Sequence, residues 1–367
     1  MLIELHLIQN FAPSNLNRDD TNSPKDCEFG GVRRARISSQ CIKRAIRKEP
    51  IFAEITEVPM GERTRWLARD IRQNLVAAGK TQEEAENLAI GFISTLLGGM
   101  DKNKPEQSNV LVYLTDEEKK KITEYLGSVS KEEIAEKFKK GIKDFKELFI
   151  DRVSAPDVAM FGRMLAVKPS ALRLDAACQV AHAISTHRVN MDMDFFTAVD
   201  DLQTDEESGS GMMGVTGFNS ACFYRYMCIN WDQLVMNLGG DFELSRKTIE
   251  GCLKAAVRAV PTGKQNSFAA QNPPSFLLAV TRGDGMAWSL ANAFEKPVHA
   301  DNEHSLVEAS ILALDAYWRQ LQAIYGGDAV PTGLVLDDTL KLENLRGAMQ
   351  PSLEAWVSSI ITALPGE

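Results

Sequence analysis

Seven basic side chains crowd one short window: Arg33, Arg34, Arg36, Lys43, Arg44, Arg47 and Lys48, with no acid between Glu28 and Glu49. Such a window can neutralise successive phosphates, because Lys and Arg contacts to the backbone dominate affinity for nucleic acid. Ser38 and Ser39 add hydroxyls at an expected helix start, where unpaired backbone N–H groups also suit an anion. Lys43 and Arg47 lie four apart and share a helix face, while Ile42, Ala45 and Ile46 turn toward a core. Arg18 and Lys25, in the polar stretch just upstream, could close over the same track. A solvated charged face is the bland alternative; the coincidence of helix start, hydroxyls and unbroken positive charge favours an anion track.

Other candidate chemistry is weaker. Met212-Met213 follows an acidic, Gly/Ser-rich run at 199–211 that reads as a projecting loop. Apolar residues on such a loop could wedge between bases, pack on a neighbouring subunit, or fold back into their own core. In Gly162-Arg163-Met164 a buried methionine is as good a reading as a binding one. His182 and His187, five apart on an expected helix, have the wrong spacing for two ligands of one metal, even with Asp192 and Asp194 nearby. Asp19-Asp20 and Asp200-Asp201 could hold magnesium for phosphodiester cleavage, but no base or third ligand is identifiable. No GxSxG, P-loop or GxGxxG is present. No metal and no cofactor is expected.

The elements that must position these groups follow from periodicity. Residues 2–9 alternate, with Leu5 and Leu7 against Glu4 and His6, and predict a strand. Asn10 to Gly31 reads as a long loop, of the kind that carries function. A helix is expected from the Ser38-Ser39 cap to Lys48, ending at Pro50. Helices are also expected over Arg63–Ala78 and Thr81–Leu97, after the capping signatures at Thr115 and Ser130, and over Ala171–Thr186. Beyond them the pattern predicts a strand at 218–231, a helix at 244–259, a strand at 276–281 and helices at 305–325 and 351–363. Gly239-Gly240 reads as a helix stop. Strands at both ends with helices between predict an α+β sheet domain carrying a helical insertion.

The 367-residue chain has a net charge of −9, with 44% apolar and 25% charged residues. That is ordinary globular composition and excludes a generic basic DNA-coating protein, so positive charge must be concentrated locally. Six scattered cysteines without a CxxC pair predict reduced thiols. The amino terminus is too punctuated for a signal peptide, and no run of 18 apolar residues occurs. The expectation is a cytoplasmic protein without membrane contact.

Several runs, in order, resemble a known family. They are Asn15-Leu16-Asn17-Arg18-Asp19-Asp20, Phe29-Gly30-Gly31, Arg33 to Gln40 with Lys43-Arg44-Ala45, Ala181 to His187, Phe196 to Leu202, Phe223-Tyr224-Arg225-Tyr226 and Leu290 to Lys296. Together they resemble the backbone subunit (CasC family) of the type I-E CRISPR surveillance complex, Cascade. The resemblance implies an RRM-like (ferredoxin-like) palm sheet with C-terminal helices from 1–57 and 188–367. It also implies a helical fingers insertion at 58–187 and a thumb loop at 199–218.

In such a complex several copies stack along the CRISPR guide RNA beside other Cascade subunits, and each thumb reaches the next copy and flips a base. The guide then pairs with target DNA in segments, so that base pairing and not protein reads sequence. The subunit is not itself a nuclease; a recruited helicase-nuclease cuts. On this resemblance Arg18, Lys25, Ser38, Ser39, Gln40, Lys43 and Arg47 fall on the guide-contacting motif. Met164, beside Arg163, takes the place of a base-kinking Met, and Met213 that of a thumb-tip residue. Phe195-Phe196 stand where the family can carry Trp-Phe, which makes Phe196 an aromatic contact. The block 58–160 does not match in detail, and the palm lacks the stacking aromatics of ordinary RRMs. Two alternatives remain: a related RNA-guided endoribonuclease using Asp19, Asp20 or Asp200, and a free-standing RNA-binding module.

Overall fold

β1 (Leu2–Ser14) runs well past the residues whose alternation predicts it, because it is a central strand and is held along its length by partners. The computed structural model describes residues 1–129, 153–163, 174–198, 212–283 and 285–366. The expected Ser130 cap, Met164, Asp200 and the acidic run 199–211 lie outside these residues. β1 pairs antiparallel with β10 (Phe276–Arg282), which pairs with β11 (Val330–Val335). On its other side lie β9 (Met212–Asn230), β7 (Ala183–Ser185), β3 (Val32–Ile37) and the edge strand β2 (Asp26–Phe29). β8 (Asp192–Ala198) pairs with β9 off this path, and β6 is Cys178–Val180. The architecture is α+β with a mostly antiparallel sheet.

The chain divides into two compact units. The first gathers Met1–Phe52, Val180–Cys228 and Cys252–Pro365 and holds the sheet; the second gathers Ala53–Gln179 and Ile229–Gly251. In the first unit, Ile8, Phe276, Leu278, Ile311, Leu314 and Trp318 belong to a core between the sheet and the helix Leu306–Tyr325. The β11 edge is covered: Trp356 Nε1 donates to the Thr332 carbonyl at 2.9 Å and Gln350 N–H to that of Gly333 at 2.7 Å. Covering an edge in this way suppresses pairing with other strands.

In the second unit, α3 (Leu67–Ala77), α4 (Gln82–Leu97) and α5 (Asp116–Ser128) close around Leu75, Phe92, Ile93, Ile122 and Leu126. Thr81 with Glu84 and Thr115 with Glu118 form complete capping boxes, as their spacing predicts. β4 (Glu62–Thr64) pairs with β5 (Val112–Leu114), which moves the start of α3 past Arg63.

The expected helix over Ala171–Thr186 is not formed in its described part. Ala183–Ser185 is instead strand β7, inserted between β3 and β9 through Ile184 opposite Tyr224 and Ile37 opposite Ala183. Two strand partners outweigh the helix preference of an Ala-rich segment. Among the described residues no helix is long and apolar enough to cross a membrane.

The alternation in β1 also misleads about exposure. Glu4 and His6, the polar residues of that alternation, are 0% and 1% exposed, because both faces of a central strand are covered. Glu4 lies 2.7 Å from Arg282 Nε and accepts from the Tyr226 hydroxyl at 2.9 Å. Burial pushes its carboxyl above the ordinary value, against the opposing pull of Arg282. His6 Nδ1 lies 2.8 Å from the Tyr224 hydroxyl oxygen, which itself accepts from Leu290 N–H. Burial, with the Arg282 charge adding to it, pushes the His6 imidazole down to about 3.

The sign follows from where the proton binds first. Below pH 6.5 the unfolded chain takes up a proton at His6 that the folded chain refuses until about pH 3, so stability falls as pH falls through that window. Between pH 7 and pH 5 the loss from this residue is about 2 kcal/mol. Urea midpoints measured at both pH values are expected to converge in His6→Gln relative to the unmodified protein. An equal drop in both proteins would show that His6 does not set this dependence.

Candidate nucleic-acid interface

The β2–β3 hairpin turns at Gly30-Gly31, both at positive φ (61° and 72°), which glycine adopts without steric cost. A Cβ on Gly30 would overlap the Glu295 carbonyl oxygen, so the turn is pressed against that backbone. Arg34 fastens this contact. It is 0% exposed and donates through Nε to the Phe29 carbonyl at 3.1 Å and through Nη1 to that of Ser185 at 3.2 Å. Nη2 donates to the Phe294 and Glu295 carbonyls at 2.7 and 3.1 Å. Arg33 pairs with Asp26 at 2.6 Å. Arg36 donates to the Asp26 carbonyl at 3.1 Å and approaches His182 Nδ1 at 3.0 Å. All three arginines of β3 thus have partners within the first unit.

The next segment joins the upstream loop to a helix start. Asn17 binds the upstream loop to the helix start: its Oδ1 accepts from Ser38 N–H at 2.8 Å and its carbonyl from Lys25 N–H at 2.9 Å. Ser38 is the N-cap of α1 (Ser39–Lys48), its hydroxyl accepting from Cys41 N–H at 3.4 Å. Ser39 and Lys43 are half-buried and Gln40 is exposed. Arg47, expected to share an outer face with Lys43, is 8% exposed. Arg44 and Lys48 are the exposed cations of this helix.

With Arg18, Asn17, Asn22 and Thr262 they line a groove of about 440 Å³, whose wall also carries the acids Asp19 and Glu49. Its far wall sits flush on the loop, since a Cβ on Gly263 would overlap the Leu16 carbonyl. The Arg18 loop is prefolded. Asp19 Oδ1 accepts from Thr21 N–H at 2.9 Å, Ser23 N–H at 3.0 Å and the Thr21 hydroxyl at 2.8 Å. These bonds, the Thr21 hydroxyl first, hold the Asp19 carboxyl below its ordinary value. Lys25 is half-buried, and with Arg36 it adds to the burial that pushes His182 below the usual imidazole range.

A second surface is apolar. In the β8–β9 ribbon Phe195 lies opposite Val215, Met193 opposite Gly217 and Thr197 opposite Met213. The two-residue period puts Met193, Phe195, Met213 and Val215 on one face, each 58–67% exposed. Phe196 points to the other face and lies over Gly214, where a Cβ would collide with its ring.

Arg163 belongs elsewhere. It is 3% exposed, and its guanidinium forms an ion pair with Glu118, the carboxylate that also completes the Thr115 capping box. Burial and this partner make it a strut of the second unit. His182 and His187 stand on no common helix: His187 Nδ1 donates to the Arg188 carbonyl at 2.8 Å while Nε2 accepts from Cys222 N–H at 3.2 Å. Among the described residues no group of three His, Cys, Asp or Glu side chains is placed to hold a metal.

Sequence reasoning passed over Thr262-Gly263, which carries no charge signal. It also missed Met193 and Val215, although their two-residue spacing from Phe195 and Met213 was visible.

These features define an α+β protein with a cationic groove and a bare apolar ribbon. A sequence model of the CT1975-like proteins matches residues 3–359. The chain belongs to this CRISPR-associated family. It is similar to a chain of a solved "CRISPR RNA-guided surveillance complex, pre-nicking", at 30% identity and a TM-score of 0.85, over 99% of this chain and 100% of that one. A chain of another "CRISPR RNA-guided surveillance complex" shares 26% identity at a TM-score of 0.64, over 99% of both. No curated protein matches.

The buried pair yields a direct test. Arg163→Ala leaves the Glu118 carboxylate buried without its cation and is expected to cost about 3–5 kcal/mol. Arg163→Met combined with Glu118→Gln removes both charges and should recover much of that loss. Chemical denaturation of the three proteins checks it, and equal losses in both variants would refute a charge-pair role.

Proposed function

We propose that the protein is a CRISPR RNA-binding backbone subunit of a Cascade complex of the type I-E kind. In this reading it polymerises along the guide in the cytoplasm, grips it without regard to sequence, and presents it in segments to target DNA. The observation that carries this reading is the groove between the Arg18 loop and α1, on a chain similar over 99% of its length to one from an RNA-guided surveillance complex. Phosphate-directed cations hold a backbone, and the backbone has no base identity. The antiparallel sheet supports an RRM-like palm, with the helices of the second unit as fingers.

Arg18, Lys25, Ser39, Gln40 and Lys43 contact the guide in this reading, joined by Arg44 and Lys48. Ser38 and Arg47 act from beneath by capping and packing α1. The Phe196 and Met213 ribbon serves as the thumb, its apolar face meeting a neighbouring copy and the guide held there. Further copies, other Cascade subunits, target DNA and a recruited helicase-nuclease are the partners.

The subunit itself is non-catalytic in this reading. The Asp19 oxygen that accepts three hydrogen bonds inside its own turn supports this over a loop-carboxylate ribonuclease.

Two exposed residues test the groove. Arg44→Ala with Lys48→Ala should weaken binding to every guide sequence alike. The slope of log affinity against log salt should become shallower by about 1–2 units, as two phosphate contacts are lost. An unchanged slope removes these residues from the interface. Incubation of protein, guide, complementary RNA and magnesium is expected to leave the RNA intact; cleavage lost in Asp19→Asn would instead establish the ribonuclease.

A further inference from the structure

Asn15 is 0% exposed and spends both protons of its side-chain amide on groups far apart in sequence. Nδ2 donates to the Asn22 carbonyl at 3.0 Å, inside the Arg18 loop, and to the Gly217 carbonyl at 2.9 Å, at the root of the β8–β9 ribbon. The loop it enters has contacts of its own. Asn22 is held at φ 66°, Arg18 Nη1 reaches Asn22 Oδ1 at 3.3 Å, and Arg18 bridges to Pro24. Pro24 then meets the ribbon: a Cβ added to Gly217 would lie 3.3 Å from Pro24 Cδ, 3.4 Å from Met191 Sδ and 3.6 Å from Met193 Sδ. A Cβ at 217 would be tight against Pro24 and in ordinary contact with the two methionines, so glycine lets the loop and the ribbon close on one another.

We infer that Asn15 is a positioning residue that fastens the cationic loop to the root of the apolar ribbon, so that RNA held by the loop also orders the ribbon. The inference rests on the RNA-binding reading above and adds to it a coupling between two surfaces. Its physical basis is that a buried amide with both N–H groups satisfied gives up two hydrogen bonds if loop and ribbon separate. A ribbon of two strands is marginally stable by itself, so a fixed root governs how far its exposed face is ordered. Asn15 touches neither phosphate nor base in this scheme; it acts through Asn22 and Gly217.

Hydrogen exchange with a short oligouridylate, too short to span two copies, tests the coupling in the full-length protein. In the unmodified protein RNA should slow exchange in the Arg18–Lys25 loop, in α1 and in the ribbon segment 213–218. In Asn15→Ala the RNA should still protect α1 but not 213–218. Affinity should fall roughly tenfold, the cost of ordering a loosened loop at binding. The salt slope should not change, since no phosphate contact is removed.

Asn15→Ser, which keeps a small polar group too short to reach both carbonyls, is used if the alanine variant does not fold. Ribbon protection that persists in the variant refutes the coupling alone. A shallower salt slope refutes the positioning role and makes Asn15 a direct contact. Absence of RNA protection at α1 in the unmodified protein refutes the RNA reading itself.

Discussion

The guanidinium of Arg34 is enclosed by four main-chain carbonyls, those of Phe29, Ser185, Phe294 and Glu295, which come from three distant stretches of the chain. A cation satisfied by carbonyl dipoles needs no carboxylate, and each of its hydrogen bonds is charge-assisted. Burial lowers the affinity of this group for its proton, but from a starting value so high that it stays charged. The cage fixes the β2–β3 turn against residues 294–295 and sets the line along which β3 leaves the sheet. Everything the groove needs comes after that exit: the Ser38 cap, the first turn of α1 and the Asn17 clamp. Loss of the cage would leave carbonyls unpaired and the start of α1 without a fixed direction.

The cationic window therefore does two jobs with one residue type, and position decides which. On β3, Arg33, Arg34 and Arg36 are consumed by Asp26, the carbonyl cage and His182. On α1 angle alone does not divide them. Residues advance about 100° each, so Arg44 lies opposite the buried Ile42 and Ile46, with Arg47 and Lys48 at similar angles on either side of it and Lys43 at the flank. The side chains of Arg44 and Lys48 stay in solvent while Arg47 tucks in. An i, i+4 pair announces a shared face; it does not say how far that face stands from the core.

What could be read from residues alone follows the same logic. Capping boxes at Thr81 and Thr115 are local chemistry, and the helices they open begin where the spacing says. The strand β7 depends on partners 146 and 40 residues away, Ile37 and Tyr224, and no local pattern in Ala183–Ser185 encodes them. The burial of Glu4 and His6 was not legible for a related reason. Polar residues alternating with apolar ones signal a half-exposed strand only where one face meets water, and β1 has two covered faces. In the groove, the charged residues were legible and the neutral wall was not. Gly263 contributes by having no side chain, which a search for chemistry-bearing residues passes over.

Net charge closes the physical account. A molecule at −9 repels a polyanion over most of its surface, so the residues lining the groove act against an unfavourable background. On the proposed reading, that background confines a phosphate track to the groove and discourages indiscriminate coating. The ribbon imposes the complementary constraint. Four large apolar side chains on one face of a two-stranded projection are costly in water and suit a surface that is covered in an assembly. On the proposed reading the two constraints belong together: the groove holds RNA by its uniform backbone, and the ribbon is fully buried only when copies assemble along that same backbone.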